Sequence, residues 1–163
     1  MNTKRFTLMA LMMTLVIVLS SFSLTVPGGH LYLNDVVIVL SALLFSPKDA
    51  LLVCGLGAFL GDFFFYPSPM FVSLVTHGVQ GYVISYLAHS NRNLISKNRS
   101  LIAACVGAFI MVGGYTFGRA FVYSTLKTSL IKLPFQIVQA SVGVIFGYFL
   151  RYHAVPKQIE EIV

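Results

Sequence analysis

Six apolar runs, each separated from the next by a short polar or Pro/Gly-rich break, dominate this chain: 6–26, 31–45, 47–65, 70–89, 101–123 and 130–150. A helix needs roughly 20 apolar residues to cross a bilayer core. Of the 163 residues, 57% are hydrophobic and only 10% charged, whereas a soluble domain carries about 25% charged residues. Together these features predict an all-α polytopic membrane protein, one domain of six transmembrane helices spanning residues 1–163. The basic pair Lys4-Arg5 before the first run also suits a signal peptide. That run is long for one, and no clear A-x-A site follows, so it reads as a retained span.

The formal charge of +6 is segregated, which argues for topology rather than for a nucleic-acid partner. With six spans both termini fall on one side. That side carries Lys4, Arg5, Lys48, Arg92, Lys97, Arg99, Arg151 and Lys157, and the other carries only Lys127 and Lys132. Lys and Arg favour cytoplasmic loops, so the N and C termini are expected in the cytoplasm. The most polar loop covers 90–100, and the tail ends in the acidic pair Glu160-Glu161.

Several local signals punctuate the runs. Pro27-Gly28-Gly29 breaks the first helix and opens a loop. The second run is short and suits a helix that starts inside the protein. Ser46, Pro47 and Asp49 form a capping-box start for the third. Gly57 and Gly61 form a GxxxG, usually a sign of close helix packing. Gly113-Gly114 marks a plausible kink. On the first helix Thr3, Thr7, Ala10 and Thr14 share a face of small residues, suited either to packing within the chain or to docking a separate subunit.

Polar residues embedded in the runs suggest where chemistry resides. A charge at the bilayer centre costs roughly 2.5 kcal/mol or more. Given that topology, Asp35, Asp62, Tyr66, Arg119, Tyr123, Lys132, Gln136 and Gln139 all fall toward the outer half of the membrane. Tyr115, Arg119 and Tyr123 recur every four residues as one stripe. His77 and Gln80 share a face, and so do Gln136 and Gln139. Mutual neutralisation of Asp35, Asp62 and Arg119 is the simplest account. The accompanying amides and phenols point instead to a pocket for a small polar aromatic ligand, stacked by rings and read by Asn34, Asp35 and the glutamines. Phe63 to Phe65 read as lipid-facing or core.

Other function classes find little support. Cys54 and Cys105 stand alone, and the four histidines lack metal-ligand spacing, so neither a disulfide framework nor a metal or other cofactor is expected. No GxxxxGK[ST] loop exists for ATP hydrolysis. Ser73 and His77 are four apart, but no glycine elbow or third orienting group accompanies them.

The succession LNDVVIVLSALLFSPKDALLVCGLGAFLGDFF, YPSPMFVSLVTHGVQGYVISYL, GGYTFGRAFVY and LPFQIVQASVGVIFGYF resembles the substrate-binding S components of energy-coupling-factor (ECF) vitamin transporters. The resemblance spans nearly all of the chain. It implies a six-helix subunit in a prokaryotic cell membrane that captures a vitamin from outside. It also implies partners: a transmembrane T component and two cytoplasmic ATPases that drive release. The family's A-x-x-x-A docking pattern falls on Ala10 and Thr14, the second departing from alanine. The pocket-closing loop falls on Pro27, Gly28, Gly29 and His30. The segments most resemble a subgroup assigned to hydroxymethylpyrimidine or pyridoxine-like molecules. On that reading the substrate-binding set is Asn34, Asp35, Asp62, Tyr66, His77, Gln80, Tyr115, Arg119, Tyr123, Gln136 and Gln139. A riboflavin or queuosine-precursor carrier would display many of the same residues.

Overall fold

The computed structural model describes residues 3–89, 96–156 and 159. Arg92, Lys157, Glu160, Glu161 and most of the polar loop lie outside the described residues. Six α-helices and one β-hairpin follow in order: α1 (Thr3–Ser21), β1 (Ser23–Val26), β2 (Gly29–Tyr32), α2 (Asn34–Leu44), α3 (Pro47–Phe65), α4 (Met70–His89), α5 (Lys97–Gly118) and α6 (Leu126–His153). A π-helical turn, Arg119–Tyr123, continues α5. Among the described residues, three helical stretches are long and apolar enough to cross a membrane: Thr3–Ser21, Lys97–Tyr123 and Leu126–His153.

The order of helices is the expected one, but the first break differs. The first helix stops at Ser21 rather than at residue 26, and residues 23–32 form an antiparallel hairpin with Val26 opposite Gly29 and Ser23 opposite Tyr32. An all-α description therefore needs this hairpin added. Its cause is local. Gly28 and Gly29 have φ of +84° and +150°, conformations that side chains disfavour, and the β-branched and aromatic residues on either side suit strands. At the other end of the chain α6 starts at Leu126, four residues before the expected 130, because Thr125 caps it by accepting from the Thr128 amide. Pro134 thus lies inside the helix, where it withdraws one backbone donor.

α2 is the centre of the bundle. Ten of its eleven residues are buried, as expected of a helix that is apolar all round. At 1.5 Å per residue it extends only about 16 Å, about half a bilayer core, so its Asn34 end stops inside the protein. α6 meets α2 closely: a Cβ at Gly143 would lie 2.8 Å from Asp35 Cβ, and one at Gly147 would lie 2.8 Å from Val39 Cβ. On the other flank Gly57 faces Val16 and Met13 of α1, and Gly61 faces Ser20. The Gly57/Gly61 pair is thus an internal packing seam. α1 buries Met9, Met12, Val16 and Ser20, while Thr3, Thr7, Ala10 and Thr14 are exposed. Phe63, Phe64 and Phe65 are exposed too.

Two further expectations are corrected. Asp49 does not complete a capping box, since the Ser46 side chain makes no cap bond to the backbone. Its carboxylate instead accepts from the Ser46 hydroxyl at 3.1 Å and from Arg5 Nε at 2.8 Å, tying α1 to the α2–α3 turn. Nor does Gly113-Gly114 interrupt α5. α-helical bonding runs through both glycines and yields to the wider π pattern only at Arg119.

Candidate functional site

A cavity of about 280 Å³ opens at the end of the bundle remote from Arg5, Lys48, Arg99 and Arg151. It draws on the hairpin and on five helices. The hairpin contributes Gly28, Gly29, His30 and Tyr32; α2 contributes Asn34; the α3 end and the turn after it contribute Asp62, Tyr66, Ser68 and Pro69. His77 comes from α4. Met111, Tyr115, Arg119 and Tyr123 come from α5 and its π turn. Thr128, Lys132, Gln136 and Gln139 come from α6.

Most residues singled out in the sequence therefore meet at one place. Asp35 and Gln80 do not reach the wall. Each stands one contact behind it: Asp35 Oδ2 accepts from Gln139 Nε2 at 2.5 Å, and Gln80 Oε1 accepts from His77 Nδ1 at 2.7 Å. Ser41 aside, the buried side-chain atoms without a hydrogen-bond partner among the described residues are His30 Nδ1, Asn34 Oδ1, Asp35 Oδ1 and Tyr123 Oη. Three of those four belong to wall residues.

Arg119 does not pair with either acid. Its Nη1 donates to Gln136 Oε1 at 3.1 Å, and its guanidinium lies 5.6 Å over the Tyr123 ring. The π turn serves this arrangement, because a wider turn keeps residues four apart on one side. Such bulges recur at functional sites. Gln136 Nε2 in turn donates to the Met111 and Val112 carbonyls at 3.4 Å, which holds the Gln136 amide in one orientation. Asp62 accepts from the Ser73 hydroxyl. The hydroxyl has only one proton, so the Tyr115 hydroxyl, 2.5 Å away, donates to Ser73. Ser73 is thereby committed to Asp62 and Tyr115, while His77 Nδ1 is committed to Gln80. No Ser73–His77 pair is formed for nucleophilic chemistry.

Rings frame the space. Tyr66 meets His30 edge-on at 5.1 Å, and Tyr115 lies 5.3 Å from His77. Burial pushes the Tyr32 phenol above its ordinary value, so this wall residue remains a neutral hydroxyl.

Lys132 is the principal wall residue absent from the expected substrate-binding set. It was expected in the outer half of the sixth run, and it lies within α6, 4% exposed, with its ammonium bonded to the His30 carbonyl. The available signal was position: Lys132, Gln136 and Gln139 recur at helical spacing. Tyr32, Met111 and Thr128 were also missed. A second hollow of about 440 Å³ lies between α5 and α6, lined by residues such as Phe109, Val112, Ile137 and Val144. It has almost no polar lining and belongs with the bundle's apolar exterior.

The family model for the S component of the ECF-type riboflavin transporter matches residues 1–156. The chain is 32% identical over 129 residues to an uncharacterised protein of Pyrococcus woesei, covering 78% of this chain and 84% of the relative. It is 30% identical over 146 residues to the thiamine precursor transporter HmpT of Lactococcus lactis subsp. cremoris, covering 86% of each. The crystal structure of FolT bound with folic acid superimposes with a TM-score of 0.63 at 16% identity, over 94% of this chain and 97% of that one. At that identity the likeness speaks for the fold alone.

Proposed function

Because the chain belongs to the ECF-type S-component family, we propose that its cavity captures a small aromatic vitamin precursor of the hydroxymethylpyrimidine or pyridoxine type. The protein is a substrate-binding subunit of a multi-pass membrane transporter and not an enzyme. One observation carries the ligand reading: His30, Asn34 and Tyr123, each with a buried polar atom left without a partner, line a single ring-framed cavity. An unpaired buried polar group costs roughly 1–3 kcal/mol, and a guest that bonds to it removes that cost. The volume of about 280 Å³ sits at the lower edge of the roughly 300–1,000 Å³ typical of drug-sized ligands. That favours one ring over three, in agreement with the name of the Lactococcus lactis relative.

The chemistry follows from the wall. A ring amine or hydroxymethyl group donates to Asn34 Oδ1 and to the free lone pairs of Asp62. Ring nitrogens accept from Arg119 and from the donors of α6. Tyr66 and Tyr115 enclose the ring faces. Asp35 and Gln80 act from behind, by holding Gln139 and His77. Riboflavin is the second reading, favoured by the description of the matching family model. It would need the hairpin to sit further from α6.

On this reading all six helices lie in a prokaryotic cell membrane, with the Arg5/Lys48/Arg99/Arg151 end in the cytoplasm and the cavity facing out. The hairpin closes over the bound ligand. The exposed face around Ala10 and Thr14 docks onto a T component, and two ATPases on that partner drive toppling and release. The decisive experiment is mass spectrometry of small molecules that co-purify with the protein, paired with thermal shifts against hydroxymethylpyrimidine, pyridoxine, thiamine and riboflavin. Hydroxymethylpyrimidine or pyridoxine is expected to give the largest stabilisation, saturable and without ATP. A shift with riboflavin alone would select the second reading, and no shift with any of them would remove the vitamin-capture role. Uptake by vesicles holding this chain alone would replace the ECF mechanism with secondary transport.

A further inference from the structure

The hairpin has little of its own to hold it in place. It is two four-residue strands around a Pro27-Gly28 turn, and an isolated two-stranded hairpin is marginal in water. What fastens it comes from α6, about a hundred residues later in the chain. The Lys132 ammonium donates to the His30 carbonyl. About two helical turns further on, Gln139 Oε1 accepts from the Tyr32 amide at 3.2 Å. Both contacts are to backbone of β2, from side chains on one face of one helix. The turn residues are moulded on the same lysine. A Cβ at Gly28 would lie 3.1 Å from Lys132 Cβ, and one at Gly29 would lie 3.3 Å from Lys132 Nζ.

We infer that Lys132 and Gln139 form a two-point clasp by which α6 holds the hairpin over the cavity, and that Lys132 is the positioning residue that sets how fast the site opens. This rests on the cavity being the ligand site, and it adds what controls access to it. The two points differ in what they connect. Gln139 passes the hairpin's position inward, since its other end holds Asp35. Lys132 lines the cavity as well as gripping His30, and an ammonium has three donors. A ligand acceptor near Lys132 can therefore be bonded without releasing the hairpin, so ligand and lid are held by the same side chain.

The test is Lys132→Met, which keeps the aliphatic stem against Gly28 and removes the donor, with Gln139→Leu as an independent break of the second point. The first readout is amide hydrogen exchange in ligand-free protein. Exchange over residues 23–32 should rise about tenfold, the effect of losing one charge-assisted bond, while α2 and α6 stay as protected as in the parent. The second is the kinetics of hydroxymethylpyrimidine binding, in which association and dissociation should both accelerate for Lys132→Met. Parent-like hairpin exchange in both variants would overturn the clasp. So would faster exchange throughout the bundle, which would mark Lys132 as a general stabiliser. If Lys132→Met does not fold, Gln139→Leu decides by the same exchange readout. If the parent binds none of the vitamins yet the hairpin loosens selectively, the ligand reading fails and the clasp stands.

Discussion

The two ends of this bundle contain similar polar residues and use them in opposite ways. Among the described residues at the basic end, the polar side chains bond largely within the protein, with Ser41 Oγ as an exception. Arg5 meets Asp49 and Ser46, Ser85 donates to the Phe45 carbonyl, Arg99 to the Leu87 carbonyl, and Tyr152 to Ser100. At the cavity end the bonds close only in part. Asp62, Gln136 and Gln139 are held by neighbours, but His30, Asn34 and Tyr123 each keep a buried atom without a partner. Because an unmade buried bond is costly, the first end reads as architecture and the second as a site awaiting a guest. The difference lies in the satisfaction of the groups, since Arg, Asp, Ser and Tyr occur at both ends.

Substitutions test that contrast. The largest loss of ligand affinity is expected for Arg119→Met, which removes a charged donor from the cavity wall and frees Gln136. Losing a hydrogen bond to a charged group costs roughly 1.5–3 kcal/mol, so calorimetric affinity should fall about tenfold to a hundredfold, with a much smaller change in melting temperature. A parent-like affinity would show that Arg119 only braces helices. Asp49→Ala should do the converse. It removes the Arg5 pair, whose side chains are 30% and 14% exposed, and pairs of that kind contribute about 0.2–1 kcal/mol. Melting should drop slightly while affinity holds. A drop in affinity would mean that the two ends are coupled. Ala10→Trp, on the exposed face of α1, should leave ligand affinity unchanged and abolish co-purification with a T component. Retained assembly would place the docking face elsewhere.

Asp35 and Asp62 illustrate how far the sequence reading reached. Both stood out because an acid in an apolar run is costly, and both lie at the cavity end. Yet Asp62 is on the wall and Asp35 is behind it. Depth of that kind depends on which residue of α6 faces α2, and this is set by the close approach at Gly143 and Gly147. That second GxxxG is visible in the sequence, but its partner helix is not. The hairpin was missed for a related reason. Residues 22–26 place Ser23 and Thr25 between Phe22, Leu24 and Val26, few enough polar groups for the apolar run to seem to continue, and the pairing across Gly28-Gly29 makes them a strand. Lys132 was left out of the expected binding set because a lysine near the end of a run also suits a topological role, and its contact with the hairpin is visible only in the packed structure.

Composition and order alone determined that this chain enters a membrane, that its helices succeed one another as they do, and that its basic residues collect at one end. Those properties follow from transfer free energies, which each residue carries wherever it sits. Packing in three dimensions settled which polar atoms find partners and which do not, because a hydrogen bond depends on ångström-scale approach between segments far apart in the chain. Lys132 and the His30 carbonyl, 102 residues apart, owe their meeting to that packing alone.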